Sequence, residues 1–390
     1  MPAPQDPLNS YRTRRQARLS RLPWLRPATA GYPPAWYRAD ELLITLEGRD
    51  HVMRFLHGNP AFPDPQGDEE VTPGVYRLHV PGIDVLAAVR GIHRALPQGV
   101  RVASPHHVFQ ASPFNHGGPY GPPAPAAPTA LAAPAATGGS SPVAVSIIDT
   151  GLWSRTPLPS TFLRANGVEY EEATDVDRDG VLDGDVGHAN FIGGVYAAHA
   201  VESRLSVVKV LDTFGVCTEA DVVAALARID PGTQIINLSL GGYTIDNQPP
   251  LAVAQALRTA LSGQDRVAVA AAGNDGNSTD PFWPAAFAGA GASWSDQMVA
   301  VAAHDGQQLC DWSNTGSWVT LAAPGAGIRS TFIDDPVFPQ GWATWSGTSF
   351  ATPHAGAAIA KLVTGAGPVA ALAGLKAAPH ARIGGCPALT

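Results

Sequence analysis

From Val143 onward the chain repeats one pattern. Short apolar runs without polar alternation, at residues 143–148, 205–211, 235–240 and 267–271, are separated by stretches with helical spacing at 189–200, 219–229 and 250–262. Runs that are apolar on both faces suit parallel strands covered by helices on each side. The pattern predicts a doubly wound α/β domain, with helices on both faces and functional groups at the carboxyl ends of the strands. No internal repeat is visible.

Upstream the pattern is different. Residues 1–38 read as irregular and basic, and 39–110 as a small α/β unit. Strands are predicted at 41–47, 75–80 and 100–109, and helices at 49–56 and 84–96. No strand is evident between the first helix and Val75. Residues 111–142 hold eight prolines among Gly, Ala and Ser, the composition of a linker. The expected organisation is therefore a segment 1–38, a unit 39–110, a linker 111–142 and a domain 143–390.

Composition narrows the function. With 390 residues, 45% of them apolar, the chain can bury one large core and a smaller one. No run approaches the ~18 apolar residues of a membrane span, so a membrane is not an expected partner. A net charge of −8 argues against nucleic acid, whose phosphates need a basic surface. Cys217, Cys310 and Cys386 are widely spaced and make no disulfide framework; one bridge is possible with one thiol left over, and reduced buried thiols are the plainer reading. The basic start, with Arg14 and Arg15, is not followed by the apolar run of a secretory signal. The cytoplasm is then the default location and secretion the alternative.

Three positions carry chemistry only when taken together. Asp149 ends the apolar run 143–148, where alone it is an ordinary turn residue. His188 opens a helix rich in small residues, where alone it is an ordinary structural histidine. Ser349 stands at a helix N-terminus with Pro353 in the first turn, where alone it is an N-cap. Yet Asp149-Thr-Gly, Gly187-His and Gly347-Thr-Ser-Phe-Ala-Thr-Pro-His354 together resemble the three signature segments of the subtilisin-like serine peptidases, in that family's order. The resemblance covers residues 143–365.

It implies a subtilisin-like fold: a doubly wound parallel sheet preceded by a small α/β propeptide-like domain. It implies a serine endopeptidase with Asp149, His188 and Ser349 as triad, acting on peptides or proteins. Asn274, in Ala270-Ala-Ala-Gly-Asn274, matches the family's oxyanion donor. Ser239, Leu240, Gly241 and Gly242, with Ala271, Ala272 and Gly273, match its substrate-binding segments. No cofactor is implied for the chemistry, and a monomer is the default. His188-Ala-Asn-Phe191 departs from the usual His-Gly-Thr-His, which reads as altered packing.

Two further readings stay open. Asp175, Asp177, Asp179 and Asp183 have the spacing of a calcium loop, without the closing carboxylate because Val186 takes its place. Calcium as a structural ion competes there with a plain acidic turn. Residues 39–110 lie where the family carries an inhibitory propeptide, and a stable accessory domain is the alternative. A catalytically silent, peptide-binding scaffold is the second functional reading. An α/β-hydrolase esterase is excluded, because it needs Gly-x-Ser-x-Gly and the order Ser, Asp, His.

Overall fold

The apolar runs do form a parallel sheet. The computed structural model describes residues 13–14, 17–28, 35–111, 121–131, 142–363 and 365–389. Its first strands are β1 (Leu25–Pro27), β2 (Trp36–Thr45), β3 (Gly67–Thr72), β4 (Val75–His79), β5 (Ala103–Gln110) and β6 (Ala124–Pro125). The larger domain begins with β7 (Val143–Asp149) and continues through β8 (Leu163–Val168), β9 (Ser203–Lys209), β10 (Val216–Thr218), β11 (Ile235–Leu238) and β12 (Val267–Ala271). It ends with β13 (Met298–His304), β14 (Leu321–Pro324), β15 (Ile328–Thr331), β16 (Trp342–Trp345), β17 (Ala381–Ile383) and β18 (Cys386–Ala388). The helices are α1 (Arg49–His57), α2 (Val85–Arg94), α3 (His188–His199), α4 (Glu219–Arg228), α5 (Leu251–Leu261), α6 (Thr348–Leu362) and α7 (Gly367–Ala377).

The large sheet runs β17-β18-β14-β13-β12-β11-β7-β9-β8, and every pair except β17–β18 is parallel. Alternate residues of β7 divide between two cores. Val145 and Ile147 pack with α3 and α6, whereas Ile148 packs with α4 and α5. This is why the run carries no polar alternation: both faces are buried. α4 is fixed at its start by a capping box, in which Thr218 and Asp221 satisfy each other's backbone N–H groups.

The N-terminal unit has the order β2-α1-β3-β4-α2-β5 and the sheet β5-β2-β4-β3, with β1 on β2. This is the split βαβ arrangement. Its sheet obeys a period of two. Leu42 and Ile44 face α1 and α2, while Leu43 turns to the other side and joins the core of α4 and α5. β5 also pairs with β10, so one strand belongs to the sheet of the small unit and to the wall of the large domain.

Three sequence expectations are corrected. A strand does lie between α1 and Val75: β3 is an exposed edge, Gly-Asp-Glu-Glu-Val-Thr, with no alternation to betray it. It is held by Arg49–Asp68 and Arg77–Glu69 ion pairs. The boundary at 38/39 is crossed by β2, and β1 pairs with its first residues, so the basic segment is not wholly irregular. The stretch 111–142 is not structureless throughout, because β6 pairs with β16; residues 112–120 and 132–141 lie outside the described residues.

Candidate active site

Three element ends bring the predicted groups together. β7 delivers Asp149 at its carboxyl end, α3 starts with His188, and α6 starts with Thr348 and Ser349. Gly187 precedes the histidine with φ +81°, and a Cβ there would stand 2.6 Å from the Phe332 ring. Glycine is required on both counts. All three side chains are buried.

His188 Nδ1 lies 2.7 Å from Asp149 Oδ1, which also accepts the Thr150 N–H. Burial works to lower the pKa of the imidazole, but the Asp149 charge, with Asp185 behind it, leaves it above its ordinary value. The ring stands edge-on to Trp345 at 5.5 Å and against Phe350 at 5.2 Å. Phe191 packs on both of those rings, 4.4 Å from Phe350 and 5.9 Å from Trp345. The unusual Phe191 is thus part of an aromatic setting for the histidine, the altered packing that its sequence suggests.

Ser349 Oγ lies 3.0 Å from the Ala111 carbonyl oxygen and 3.1 Å from the Ser239 carbonyl oxygen, which share its single proton. His188 Nε2 has no partner among the described residues, so the serine–histidine hydrogen bond is not made in this state. Asn274 Oδ1 accepts both the Thr348 N–H and its hydroxyl, each at 2.8 Å. Those two bonds fix which way the amide faces and leave Nδ2 for another acceptor. The start of α6 adds oriented N–H groups at the same place.

The chain's own residues 108–111 lie in the cleft as an extended strand. On one edge β5 pairs with β10, Val108 opposite Thr218, Phe109 opposite Cys217 and Gln110 opposite Val216. On the other edge Gln110 and Gly241 exchange two 2.8 Å backbone bonds. The Ala111 N–H reaches the Gly215 carbonyl at 3.0 Å, and its own carbonyl points at the serine. A Cβ on Gly242 would meet the Phe109 ring at 2.9 Å and the Val108 carbonyl at 3.2 Å, so glycine there makes room for the strand.

The other predicted segment residues act from behind. Ser239 Oγ donates to the Ser349 carbonyl at 2.8 Å, and Leu240 is buried in the core of α4 and α5. Ala271 ends β12. The Ala272 N–H donates to Val301, and the Gly273 N–H to Thr348 Oγ1, so these residues hold the wall that presents Asn274.

Sequence reading missed the second wall. Gly215 and the three residues of β10 are too short a run to show periodicity. It also missed His107, buried at the junction of the two units. Its Nδ1 lies 2.7 Å from Glu219 Oε1, and its Nε2 accepts the Ile245 N–H. Glu219 Oε2 accepts from Ala252 as well.

In the acidic loop, Asp175, Asp177 and Asp183 bring one oxygen each within 4.8 Å of one another. Asp179 is not among them; it is exposed, and its Oδ1 accepts the Val181 N–H within the turn. This corrects the four-residue expectation. Burial pushes Asp183 up to about 6, against hydrogen bonds from Thr213 and the Val176 N–H. The cysteines form no disulfide; Cys217 and Cys310 are buried and Cys386 is half-buried.

A serine hydroxyl at a helix start, a buried carboxylate–histidine pair and a flanking asparagine amide, all at the edge of a doubly wound sheet, define the class of serine-nucleophile hydrolases. Residues 140–376 match the profile of the subtilase family, and the chain belongs to that family. It is similar to the thermophilic serine proteinase of a Bacillus species, 30% identical over 287 residues, which cover 68% of this chain and 63% of that protein. It is also 33% identical to thermitase from Thermoactinomyces vulgaris over 57% of this chain and 75% of that one. The minor extracellular protease Epr of Bacillus subtilis is 32% identical over 56% of this chain and 32% of that protein. The chain thus spans less than two thirds of some of its curated relatives. A crystal structure of a cold-adapted subtilisin-like serine proteinase matches 62% of this chain and 84% of that one, at 24% identity and a TM-score of 0.47.

Proposed function

We propose that the chain is a serine endopeptidase whose N-terminal unit lies in the substrate cleft as its own inhibitor. One observation carries the reading. A peptide carbonyl, that of Ala111, stands 3.0 Å from Ser349 Oγ, in an extended strand bonded along both edges. An added strand with its carbonyl at the nucleophile is how a peptide substrate would lie.

The chemistry follows from the site. His188 Nε2 takes the Ser349 proton as Oγ attacks the substrate carbonyl carbon. Asp149 holds the imidazole by Nδ1 and balances its positive charge. Asn274 Nδ2 and the Ser349 N–H receive the negative oxygen. His188 then gives its proton to the leaving amine, and water hydrolyses the acyl-enzyme by the same steps in reverse order. Attack needs the serine to exchange its present acceptors for His188 Nε2, a change that departure of residue 111 permits.

The tail in the cleft and the split βαβ sheet favour a propeptide over an accessory domain. Wild-type protein is expected to nick itself between residues 108 and 142 and to gain activity, while Ser349→Ala stays full-length. Full-length wild-type protein that remains uncut and fully active would remove the inhibitory reading. Hydrolysis retained in purified Ser349→Ala would remove the catalytic one. The silent-scaffold reading finds no support in the intact pair and the oriented asparagine.

Asp175, Asp177 and Asp183 are proposed to hold a structural calcium ion, outside the chemistry. Substrates are peptides or proteins of unassigned sequence. Secretion is the location supported by a relative named as extracellular; the cytoplasmic default has no such support.

A further inference from the structure

A second stretch of the chain's own backbone lies against the strand that leads to Ser349. Residues 121–126 run along the edge of β16, the strand that ends four residues before the nucleophile. Ala124 stands opposite Thr344 and Pro125 opposite Ala343, and the Ala126 N–H donates to the Trp342 carbonyl at 3.0 Å. Closer to the site, Trp345 Nε1 donates to the Gly121 carbonyl at 3.2 Å. Trp345 is the residue whose ring meets His188 edge-on at 5.5 Å.

The first flank, residues 108–111, ends with its carbonyl on Ser349 Oγ, so it covers the acyl side. The second flank reaches the Trp345 ring that stands against His188, and His188 is the group that must hand its proton to the leaving amine. Pro122 and Pro123 line a cavity of about 710 Å³ together with the acidic loop, including Asp175 and Asp183, and with Phe332, whose ring stands over Gly187. Three prolines at 122, 123 and 125 hold this stretch extended in advance, which lowers the cost of ordering it along an edge.

We propose that the edge of β16 is a docking surface for the leaving-group side of a peptide, and that residues 121–126 are its resident occupant. The consequence is specific. This occupant is joined to the catalytic domain through residues 127–142, not to the N-terminal unit alone. A cut between residues 111 and 121 therefore frees the acyl side and leaves the leaving-group side covered. Full access needs a second cut beyond residue 126, or displacement of the strap by substrate.

The proposal rests on the peptidase reading only for its kinetic consequence, and the test separates the two. A recognition sequence for a site-specific protease is inserted either between residues 111 and 121 or between 132 and 141. After cleavage the N-terminal fragment is stripped off through an affinity tag. In Ser349→Ala protein, where no turnover is needed, hydrogen exchange of the peptide containing Ala126 is followed. Protection of that peptide that survives the first cut and the stripping supports the strap; exchange as fast as in the separated fragment released by the second cut overturns it. In the wild-type background, a small anilide that fills only the acyl side is compared with a quenched peptide that spans both sides. The anilide should be cleaved equally after either cut, while KM for the spanning peptide should be at least tenfold higher after the first. Equal KM values would overturn the docking surface. No cleavage of either substrate would instead contradict the catalytic reading and leave the exchange result to decide the strap.

Discussion

Two stretches of the same chain lie against the candidate site, one at Ser349 and one at Trp345, and they are held in opposite ways. Residues 108–111 are bonded on both edges and are the end of a folded unit, whose Leu43, Val75 and Phe109 share a core with α4 and α5. Among the described contacts, residues 121–126 are bonded on one edge by a two-residue strand, the Ala126 N–H bond to Trp342 and one indole contact. The first can leave only when a domain undocks. The second can peel away locally but cannot diffuse off. On the proposed reading, inhibition and covalent retention are supplied by different parts of the chain.

The largest expected effect tests whether the first stretch really lies on a nucleophile. Ser349→Ala should lower turnover by about a millionfold, and His188→Ala by nearly as much, since a triad acts as a unit; subtilisin itself shows losses of that size. Retained turnover in either variant would leave the Ala111 contact without chemical meaning. Next, Asn274→Leu should cost roughly a hundred- to a thousandfold in kcat with KM little changed, again the size of loss known for subtilisin. A change confined to KM would mean that Asn274 only shapes the cleft.

Glu219→Ala addresses the docking of the first stretch. It strips the acceptor from His107 and from the Ala252 N–H in a fully buried place. At about 2 kcal/mol for unsatisfied buried donors, inhibition by the isolated N-terminal unit should weaken on the order of 30-fold. Unchanged inhibition would place the grip elsewhere, in the β5–β10 ladder.

The pH dependence has a definite sign. His188 is active as a base only when neutral, and its pKa is held above 6.5 by Asp149. The acid limb of kcat/KM should therefore lie above pH 6.5 and move down in Asp149→Asn. The stabilising part of the His188–Asp149 pair runs the other way: it is present below pH 6.5 and fades as pH rises through the folded pKa.

The smallest effect concerns the acidic loop, far from the comparison. Excess calcium should raise Tm by a few degrees through ligand linkage. The response should grow as pH rises through about 6, where Asp183 ionises. Asp177→Ala should abolish it, and Asp179→Ala should not. Identical melting curves with calcium and with chelator would make the loop a plain acidic turn.

How much of this was legible follows from burial. β7, β11 and β12 are apolar on both faces, so their runs stood out, and β12 was located to the residue. β3 is polar and exposed, so it gave no signal. Asp149, His188, Ser349 and Asn274 could be proposed from the sequence because each sits in a short segment that resembles a signature of the subtilisin-like peptidases. β10, Gly215, His107 and Glu219 were not, because their roles exist only once a distant strand is laid against them. The strap was hidden for the same reason: its prolines read as linker until β16 offers an edge.

The central claim is that Ser349 is a nucleophile activated by His188 and covered by the chain's own backbone. Its most direct test is labelling with a serine-directed fluorophosphonate, followed by peptide mapping, before and after the N-terminal fragment is removed. The account predicts slow labelling of the full-length chain, fast labelling at Ser349 after removal, and none in Ser349→Ala. Absence of label on the stripped wild-type protein, or label that persists in Ser349→Ala, would contradict it.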